Sequence, residues 1–107
     1  MKKKVGQDAC ADILRALGDA TRLGVLQALL DRPYHVNDLM EKLRVEQSLL
    51  SHHLKVLREA GLVLATRDGK SVRYEVAPAI AGAQQSQCID LQCCQVVFRP
   101  SVKSKKA

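Results

Sequence analysis

Four cysteines are the residues of this chain best suited to reactive or metal-binding chemistry: Cys10 near the start, and Cys88, Cys93 and Cys94 near the end. In an intracellular chain, such thiols are more often reactive or metal-binding than joined in structural disulfides. Clustered thiolates select soft ions, and three sulfurs without an imidazole suit a trigonal As(III) or Sb(III) centre. With an added ligand, Cd(II), Pb(II) or Zn(II) would also fit. We predict that Cys88, Cys93 and Cys94 bind a thiophilic ion, and redox chemistry of the same thiols is the alternative.

The spacing of the cysteines restricts how one ion could be held. On a regular strand Cys93 and Cys94 point to opposite faces, and Cys88 would lie about 20 Å from Cys94. A mononuclear site therefore requires an irregular backbone there, or a ligand from Cys10 or from a partner subunit. For Cys10 we favour a packing role, as a small apolar side chain in the first helix.

A second set of chemically suited side chains lies between residues 47 and 63. Leu50, Leu54 and Leu57 recur at helical spacing and predict that one side of a helix is buried. The other side carries side chains that can donate hydrogen bonds to base edges and phosphate oxygens: Gln47, Ser48, Ser51, His52, Lys55 and Arg58. This pattern indicates a recognition helix for double-stranded DNA.

The adjacent histidines of this helix differ in their expected roles. Neighbouring side chains on a helix point about 100° apart, so His52 and His53 are poorly placed to bind one metal ion. We predict that His53 packs beneath the helix and that His52 faces DNA. His35 is isolated at the entrance of the preceding helix.

A β-hairpin is predicted directly after the recognition helix. Gly61 is a helix-ending signal, and alternating runs on both sides of the turn at residues 67–70 predict two strands. Arg67, Lys70 and Arg73 would contact phosphates from this hairpin, and an ordinary solvated surface is the alternative for these charges.

Three shorter helices must position the recognition helix. We predict them at residues 9–17, 20–30 and 36–43, with Asp19 as the N-cap of the second and Pro33 as the break after it. The third and the recognition helix would then form a helix-turn-helix.

The C-terminal part of the chain is predicted to be less regular. We expect a weak helix at residues 77–83, a polar linker at 84–87 and a strand from Cys88 to Phe98. The predicted fold class is therefore mostly α with a small β-hairpin (α+β), a winged helix-turn-helix with an extra C-terminal strand.

Four segments describe the expected organisation of the 107 residues. Residues 1–7 would be a flexible basic N-terminus, and 8–83 the DNA-binding and dimerisation domain. Residues 84–98 would form a cysteine-containing segment and 99–107 a basic tail. No cofactor is required for such a fold.

The charge of the chain is concentrated at its ends and around the recognition helix. The net charge is +6, yet residues 5–98 hold ten basic and eleven acidic residues. Residues 44–73 are the exception, with six basic and three acidic residues. A local basic patch is better evidence for phosphate contact than the overall charge. Since no apolar run reaches the ~18 residues of a membrane span, we expect a cytoplasmic protein without membrane contact.

Four segments read together resemble the ArsR/SmtB family of winged-helix metal-sensing repressors. They are ALGDATRLGVLQALL (16–30), VNDLMEKL (36–43), QSLLSHHLKVLREAGLV (47–63) and RDGKSVRYEV (67–76). The resemblance covers about residues 10–80. It implies a homodimeric repressor on a two-fold operator, released by an inducer. The pair in IDLQCCQVVF is similar to that of some arsenic-responsive members.

The resemblance also assigns sites by position. It places Gln47, Ser48, Ser51 and His52 in the major groove and Lys55 on a phosphate. Glu46 and Leu49 depart from the family's usual residues: Glu46 would place a negative charge near the DNA, and Leu49 would alter base preference. Two family metal sites are not expected, because the segment at 34–38 has no thiol and the late helix at 77–83 has no His, Asp or Glu.

The expected function is therefore that of a transcriptional repressor released by arsenite or antimonite. The alternatives keep the fold and change the signal to redox, reactive sulfur or another soft metal, or have no inducer at all. An enzyme is not expected, since no nucleophile–base pair or phosphate loop is evident.

Overall fold

The computed structural model describes residues 8–81 and 87–98. Its four helices are α1 (Cys10–Ala16), α2 (Ala20–Asp31), α3 (Val36–Leu43) and α4 (Gln47–Glu59). Its strands are β1 (Tyr34–His35), β2 (Val63–Asp68), β3 (Ser71–Val76), β4 (Cys88–Asp90) and β5 (Gln95–Val97). The winged helix-turn-helix and the mostly α class predicted from the sequence are confirmed.

Local signals in the sequence explain where these helices begin and end. The Asp19 carboxylate accepts a hydrogen bond from the backbone N–H of Arg22 at 3.1 Å, so the predicted N-cap of α2 is confirmed. After α4, Gly61 adopts a φ of +80°, which a side chain would disfavour. Between α3 and α4, Arg44 has a φ of 57° and turns the chain sharply enough to form the helix-turn-helix.

A three-stranded antiparallel sheet forms the wing, with the order β1-β3-β2. Strands β2 and β3 pair from Val63 opposite Val76 to Asp68 opposite Ser71, and Gly69 lies in the connecting turn with a φ of +65°. Strand β1 was not predicted. Its two residues pair with β3 and place His35 opposite Arg73.

Leucines of all the longer helices meet in one core. Leu26, Leu39, Leu50 and Leu57 are completely buried, so α2, α3 and α4 pack their apolar sides together. Ile89 is also completely buried in the same core, which attaches the C-terminal segment to the helical domain. Among the helices of residues 8–81 and 87–98, none has the length and apolarity to cross a bilayer.

The C-terminal segment differs from the prediction. The continuous strand expected from Cys88 to Phe98 is wrong, because β4 and β5 form an antiparallel hairpin around a turn at residues 91–94. Of the helix expected at 77–83, residues 77–81 are described, and they contain a 3-10 turn at Pro78–Ile80 instead. Residues 1–7, 82–86 and 99–107 are not described, so the predicted termini and most of the predicted linker lie outside the described residues.

Candidate nucleic-acid interface and thiol cluster

Helix α4 has one side in the core and one side in solvent. Leu50, Leu54 and Leu57 are no more than 1% exposed. The exposed side carries the residues predicted from the sequence: Gln47, Ser48, Ser51, His52, Lys55 and Arg58. Because α4 is held along one whole side, these polar side chains stand on a fixed surface rather than on a mobile loop.

Two residues of this surface already have polar neighbours. The Ser48 hydroxyl donates to the Glu46 carboxylate at 2.5 Å. Since a hydroxyl has one hydrogen, Ser48 presents only acceptor lone pairs to an incoming group. Lys55 Nζ lies 3.9 Å from Glu59, and both side chains are mostly exposed. Such exposed pairs are weak, so Lys55 remains available for another anion.

The wing follows α4 directly in the sequence and carries three positive charges. Arg67 and Lys70 are exposed at the end of the hairpin, and Arg73 is half-buried in β3. Asp68 lies between them, and its carboxylate lies 2.8 Å from Nε2 of His35. His35 therefore connects β1 to the end of the wing, a contact that the sequence did not indicate.

The buried histidine of α4 is held by the first turn of α2. His53 is 7% exposed, so its predicted position beneath the helix is confirmed. Its Nδ1 lies 3.0 Å from Nη1 of Arg22, and its Nε2 lies 3.7 Å from the carboxylate of Asp19. The Arg22 Nε–H donates to the backbone carbonyl of Ala16. Asp19, Arg22 and His53 together join α1, α2 and α4.

The capping hydrogen bond of Asp19 makes the stability of this junction depend on pH. The backbone N–H of Arg22 holds the pKa of the Asp19 carboxyl below its ordinary value of 3.8. A lowered pKa in the folded state stabilises the fold above the ordinary value, and this contribution disappears as the pH falls through the lowered pKa.

Asp19→Asn keeps a neutral acceptor oxygen. We expect this variant to be less stable against urea than the unchanged protein, by a difference that shrinks at low pH. Near neutral pH the unchanged protein should have the higher urea midpoint, and the difference between the two midpoints should shrink as the pH falls below the ordinary value of 3.8 and through the lowered pKa of Asp19. Asp19→Ala has no acceptor and should stay less stable at both pH values. Equal pH dependence of all three proteins would show that the carboxylate does not contribute as described.

Three of the four cysteines form a compact group, which we call the thiol cluster (Cys10, Cys93 and Cys94). Cys10 of α1 is joined by a disulfide to Cys93. Cys94 Sγ lies 3.5 Å from Cys10 Sγ and 3.9 Å from Cys93 Sγ. All three sulfurs lie within 4.8 Å of one another. Donors of this softness and spacing could hold a thiophilic ion once the disulfide is reduced.

The turn between β4 and β5 explains how neighbouring cysteines can face the same point. The Asp90 carboxylate accepts from the backbone N–H of Gln92 at 2.8 Å, and Gln92 has a φ of 75°. The N–H of Leu91 donates to the carbonyl of Cys94 at 2.9 Å. The backbone is therefore irregular here, as the spacing argument required, and Cys93 and Cys94 are not on opposite faces of a strand.

The composition of the cluster differs from the predicted set in one member. Cys93 and Cys94 are brought together, but Cys88 is buried at 5% exposure and is not part of the group; its Sγ lies 3.8 Å from the carbonyl of Ile89. Cys10 takes its place, so the packing role favoured for Cys10 is wrong. The separation of 83 positions between Cys10 and Cys93 left no local signal for this pairing.

Comparisons with known proteins agree with this architecture. The profile of a family described as "Bacterial regulatory protein, arsR family" matches residues 19–64. The chain is 34% identical over 101 residues to the HTH-type transcriptional regulator CmtR of Mycobacterium bovis. The aligned region covers 94% of this chain and 86% of that protein. It is 39% identical over 70 residues to the HTH-type transcriptional repressor SmtB of Mycobacterium tuberculosis, covering 65% of this chain. The chain spans only 52% of the length of that SmtB protein.

One solved structure of similar fold is described as a homodimer. It is the homodimeric winged helix-turn-helix DNA-binding domain Mb0332 of Mycobacterium bovis, with a TM-score of 0.65 and 25% sequence identity. The match covers 71% of this chain and 73% of that domain.

Proposed function

Because this chain belongs to the arsR family of bacterial regulatory proteins, we propose that it is a homodimeric, cytoplasmic repressor that binds operator DNA and leaves it when a thiophilic ion binds the thiol cluster. The observation that carries the DNA-binding part is the two-sided helix α4, anchored by fully buried leucines and polar on its exposed side. The buried leucines already hold α4 in the core. The row of hydrogen-bonding side chains on its exposed side is therefore not needed to stabilise the fold.

In this proposal α4 enters the major groove and the wing contacts the sugar-phosphate backbone. The 13 residues of α4 span about 20 Å, and the major groove of B-DNA admits one helix. Gln47, Ser51 and His52 would read base edges. Ser48, whose hydrogen is used by Glu46, would accept from a base amino group. Lys55 and the wing residues Arg67, Lys70 and Arg73 would contact phosphates.

A homodimer follows from the same proposal, because one recognition helix reads only half of a two-fold site. The Mb0332 domain is described as homodimeric. In a dimer, two copies of α4 about 34 Å apart would enter successive major grooves on one side of the duplex. Inducer binding would favour a different arrangement of the two copies, with the affinity difference setting the shift.

The thiol cluster supports a soft ion as the inducer. Zn–S bonds of about 2.3 Å at tetrahedral angles place ligand sulfurs about 3.8 Å apart. Two sulfur separations of the cluster, 3.5 Å and 3.9 Å, lie close to this value. The third pair is a disulfide and must be reduced before the ion binds. We propose arsenite or antimonite as the ion, with Cd(II), Pb(II) or Zn(II) requiring a further ligand.

The disulfide itself supports a second candidate signal. Oxidation of the Cys10 and Cys93 thiols forms one S–S bond and delivers two electrons and two protons to an oxidant, such as a peroxide or a low-molecular-weight disulfide. In that case oxidation, rather than ion binding, would change the affinity for DNA. The two signals act on the same sulfurs and exclude each other.

A titration on DNA from the protein's own promoter tests the proposal. The reduced protein should bind this DNA with an affinity that falls as salt is added. Stoichiometric arsenite should weaken binding about 5- to 150-fold, the usual range of allosteric coupling. A protein that responds to peroxide but not to arsenite supports the redox alternative, and mass spectrometry of the cysteines would show which modification is present. Binding that does not depend on salt would contradict the DNA-binding role.

The proposed phosphate contacts of the wing can be tested separately through the salt dependence of DNA binding. Arg67→Gln and Lys70→Gln should each weaken binding to all DNA sequences alike, and each should lower the slope of log affinity against log salt by about one. Arg15→Gln is the matched control, since Arg15 is exposed on α1 and its guanidinium pairs with Asp12 at 2.7 Å. Fluorescence anisotropy at several salt concentrations measures the slopes. Unchanged slopes in both wing variants would assign these charges to an ordinary solvated surface.

A further inference from the structure

Arg22 is the one side chain among the described residues whose hydrogen bonds connect the helix that carries Cys10 to the helix proposed to read DNA. Its Nε–H donates to the carbonyl of Ala16, the last residue of α1. Its Nη1 lies 3.0 Å from Nδ1 of His53 in α4. Arg22 itself belongs to the first turn of α2, so a single planar guanidinium contacts three helices. Because the guanidinium is planar and rigid, its N–H donors keep fixed directions relative to one another.

The contact with Arg22 determines which nitrogen of the His53 imidazole carries the proton. An arginine only donates, so Nδ1 of His53 must be the acceptor and the proton of the neutral ring lies on Nε2. Nε2 faces the Asp19 carboxylate at 3.7 Å, and the same Asp19 oxygen accepts from the backbone N–H of Arg22. His53 is buried, and its neighbour Leu54 is 1% exposed. The ring is therefore held by two partners from α2 inside the interface of α2 and α4.

Helix α1 links this contact to the thiol cluster. It has seven residues and a length of about 10 Å, with Cys10 at its first position and Ala16 at its last. One end is bonded to the C-terminal hairpin through Cys10 and Cys93, and the other end is bonded to Arg22. A displacement of Cys10 along the helix axis would be carried through the hydrogen-bonded turns of α1 to the carbonyl of Ala16.

We propose that Arg22 couples the thiol cluster to the recognition helix, as a positioning residue that carries movements of α1 to His53 and so to α4. The proposal rests on the proposed function, since it describes how that cluster regulates the DNA-binding helix. Closing three sulfurs around one ion, or joining two of them in a disulfide, changes the position of Cys10 relative to the hairpin. Arg22 then shifts the imidazole of His53 and alters the angle at which α4 leaves the core.

The test uses the full-length protein with three variants and two probes of the cluster. Arg22→Lys keeps the charge but replaces the fixed donors Nε–H and Nη1–H of the planar guanidinium with a single rotatable ammonium. Arg15→Lys is the matched control, because Arg15 is an exposed arginine of α1 that contacts neither Ala16 nor His53 through a side-chain hydrogen bond among those described. His53→Asn supplies an amide oxygen near the place of Nδ1 and should restore the acceptor for Arg22. The probes are arsenite and peroxide, each applied to the reduced protein.

The first readout needs no DNA. Long-range proton–nitrogen NMR spectra report the ring nitrogens of His53, whose signals are identified by their loss in His53→Asn. We expect both probes to shift the His53 signals in the unchanged protein and in Arg15→Lys, and to leave them in place in Arg22→Lys. If neither probe moves the His53 signals in the unchanged protein, or if Arg22→Lys shows the full shift, the inference is overturned.

The second readout separates this inference from the proposed function. In the unchanged protein, Arg15→Lys and His53→Asn, arsenite should weaken promoter binding about 5- to 150-fold. In Arg22→Lys the ratio should fall to about one, while arsenite still binds the thiols and the protein remains folded by circular dichroism. Normal release in Arg22→Lys overturns the inference alone. If both probes shift the His53 signals but neither releases the DNA, the coupling stands and the proposed release of DNA by ion binding or oxidation is wrong.

Discussion

Serine in place of Cys10, Cys93 or Cys94 should leave the protein bound to its promoter DNA at arsenite concentrations that release the unchanged protein. Each substitution leaves two of the three sulfurs of the cluster, and a trigonal thiophilic ion needs all three. The ratio of DNA affinities without and with arsenite should fall from about 5–150 to about one. A gel-shift titration of the reduced proteins measures this ratio. DNA binding without arsenite should be unchanged, because none of the three residues lies on α4 or the wing.

Cys88→Ala is the matched control for these substitutions. Cys88 is in the same C-terminal segment, but its buried sulfur is not in the cluster, so its arsenite response should stay normal. Alanine is preferred to serine here because a buried hydroxyl without a partner would destabilise the core. If Cys88→Ala loses the response while Cys10→Ser keeps it, the ligand set expected from the sequence is right and the proposed set is wrong.

Removing the hydroxyl of Ser51 and the imidazole of His52 should abolish sequence-specific DNA binding. Both side chains are exposed on α4, so their truncation to alanine leaves the core leucines in place. A good base contact discriminates by about 1–3 kcal/mol, so the double variant should bind promoter DNA little better than scrambled DNA. The weak, salt-dependent binding of any duplex should persist, since the basic side chains of α4 and the wing are unchanged.

Anisotropy measurements with promoter and scrambled duplexes would decide this point. Gln27→Ala is a suitable control, because Gln27 is exposed on α2 and lies on no proposed DNA contact. Both this variant and the double variant should have the same urea midpoint as the unchanged protein. Promoter preference retained without Ser51 and His52 would show that α4 is not the reading helix.

Much of the helical domain could be predicted because its signals are local. The leucine spacing in α4 predicted which side is buried, and Asp19 and Gly61 marked helix boundaries through their own backbone chemistry. The wing followed from an Asp-Gly turn between two alternating runs. Each of these features depends on residues within a few positions of one another.

The unpredicted features depend on contacts between distant residues. Strand β1 has two residues, too few for any alternation to be detected, and exists because it pairs with β3. The sequence predicts one strand where β4 and β5 form a hairpin, because the turn uses Gln92 in a left-handed conformation rather than a glycine or proline. The membership of Cys10 in the thiol cluster and the contact of Arg22 with His53 are long-range pairings, which periodicity does not encode.

The burial of Ile89 ties the C-terminal hairpin to the same core as the helices, so melting should be a single event for both regions. A ligand of the folded state raises the unfolding free energy by about 2.7 kcal/mol when present at 100 times its dissociation constant. Calorimetry of the reduced protein could therefore rank arsenite, antimonite, cadmium, lead and zinc by their effect on the melting temperature. Neither the operator sequence nor the regulated gene needs to be known for such a screen.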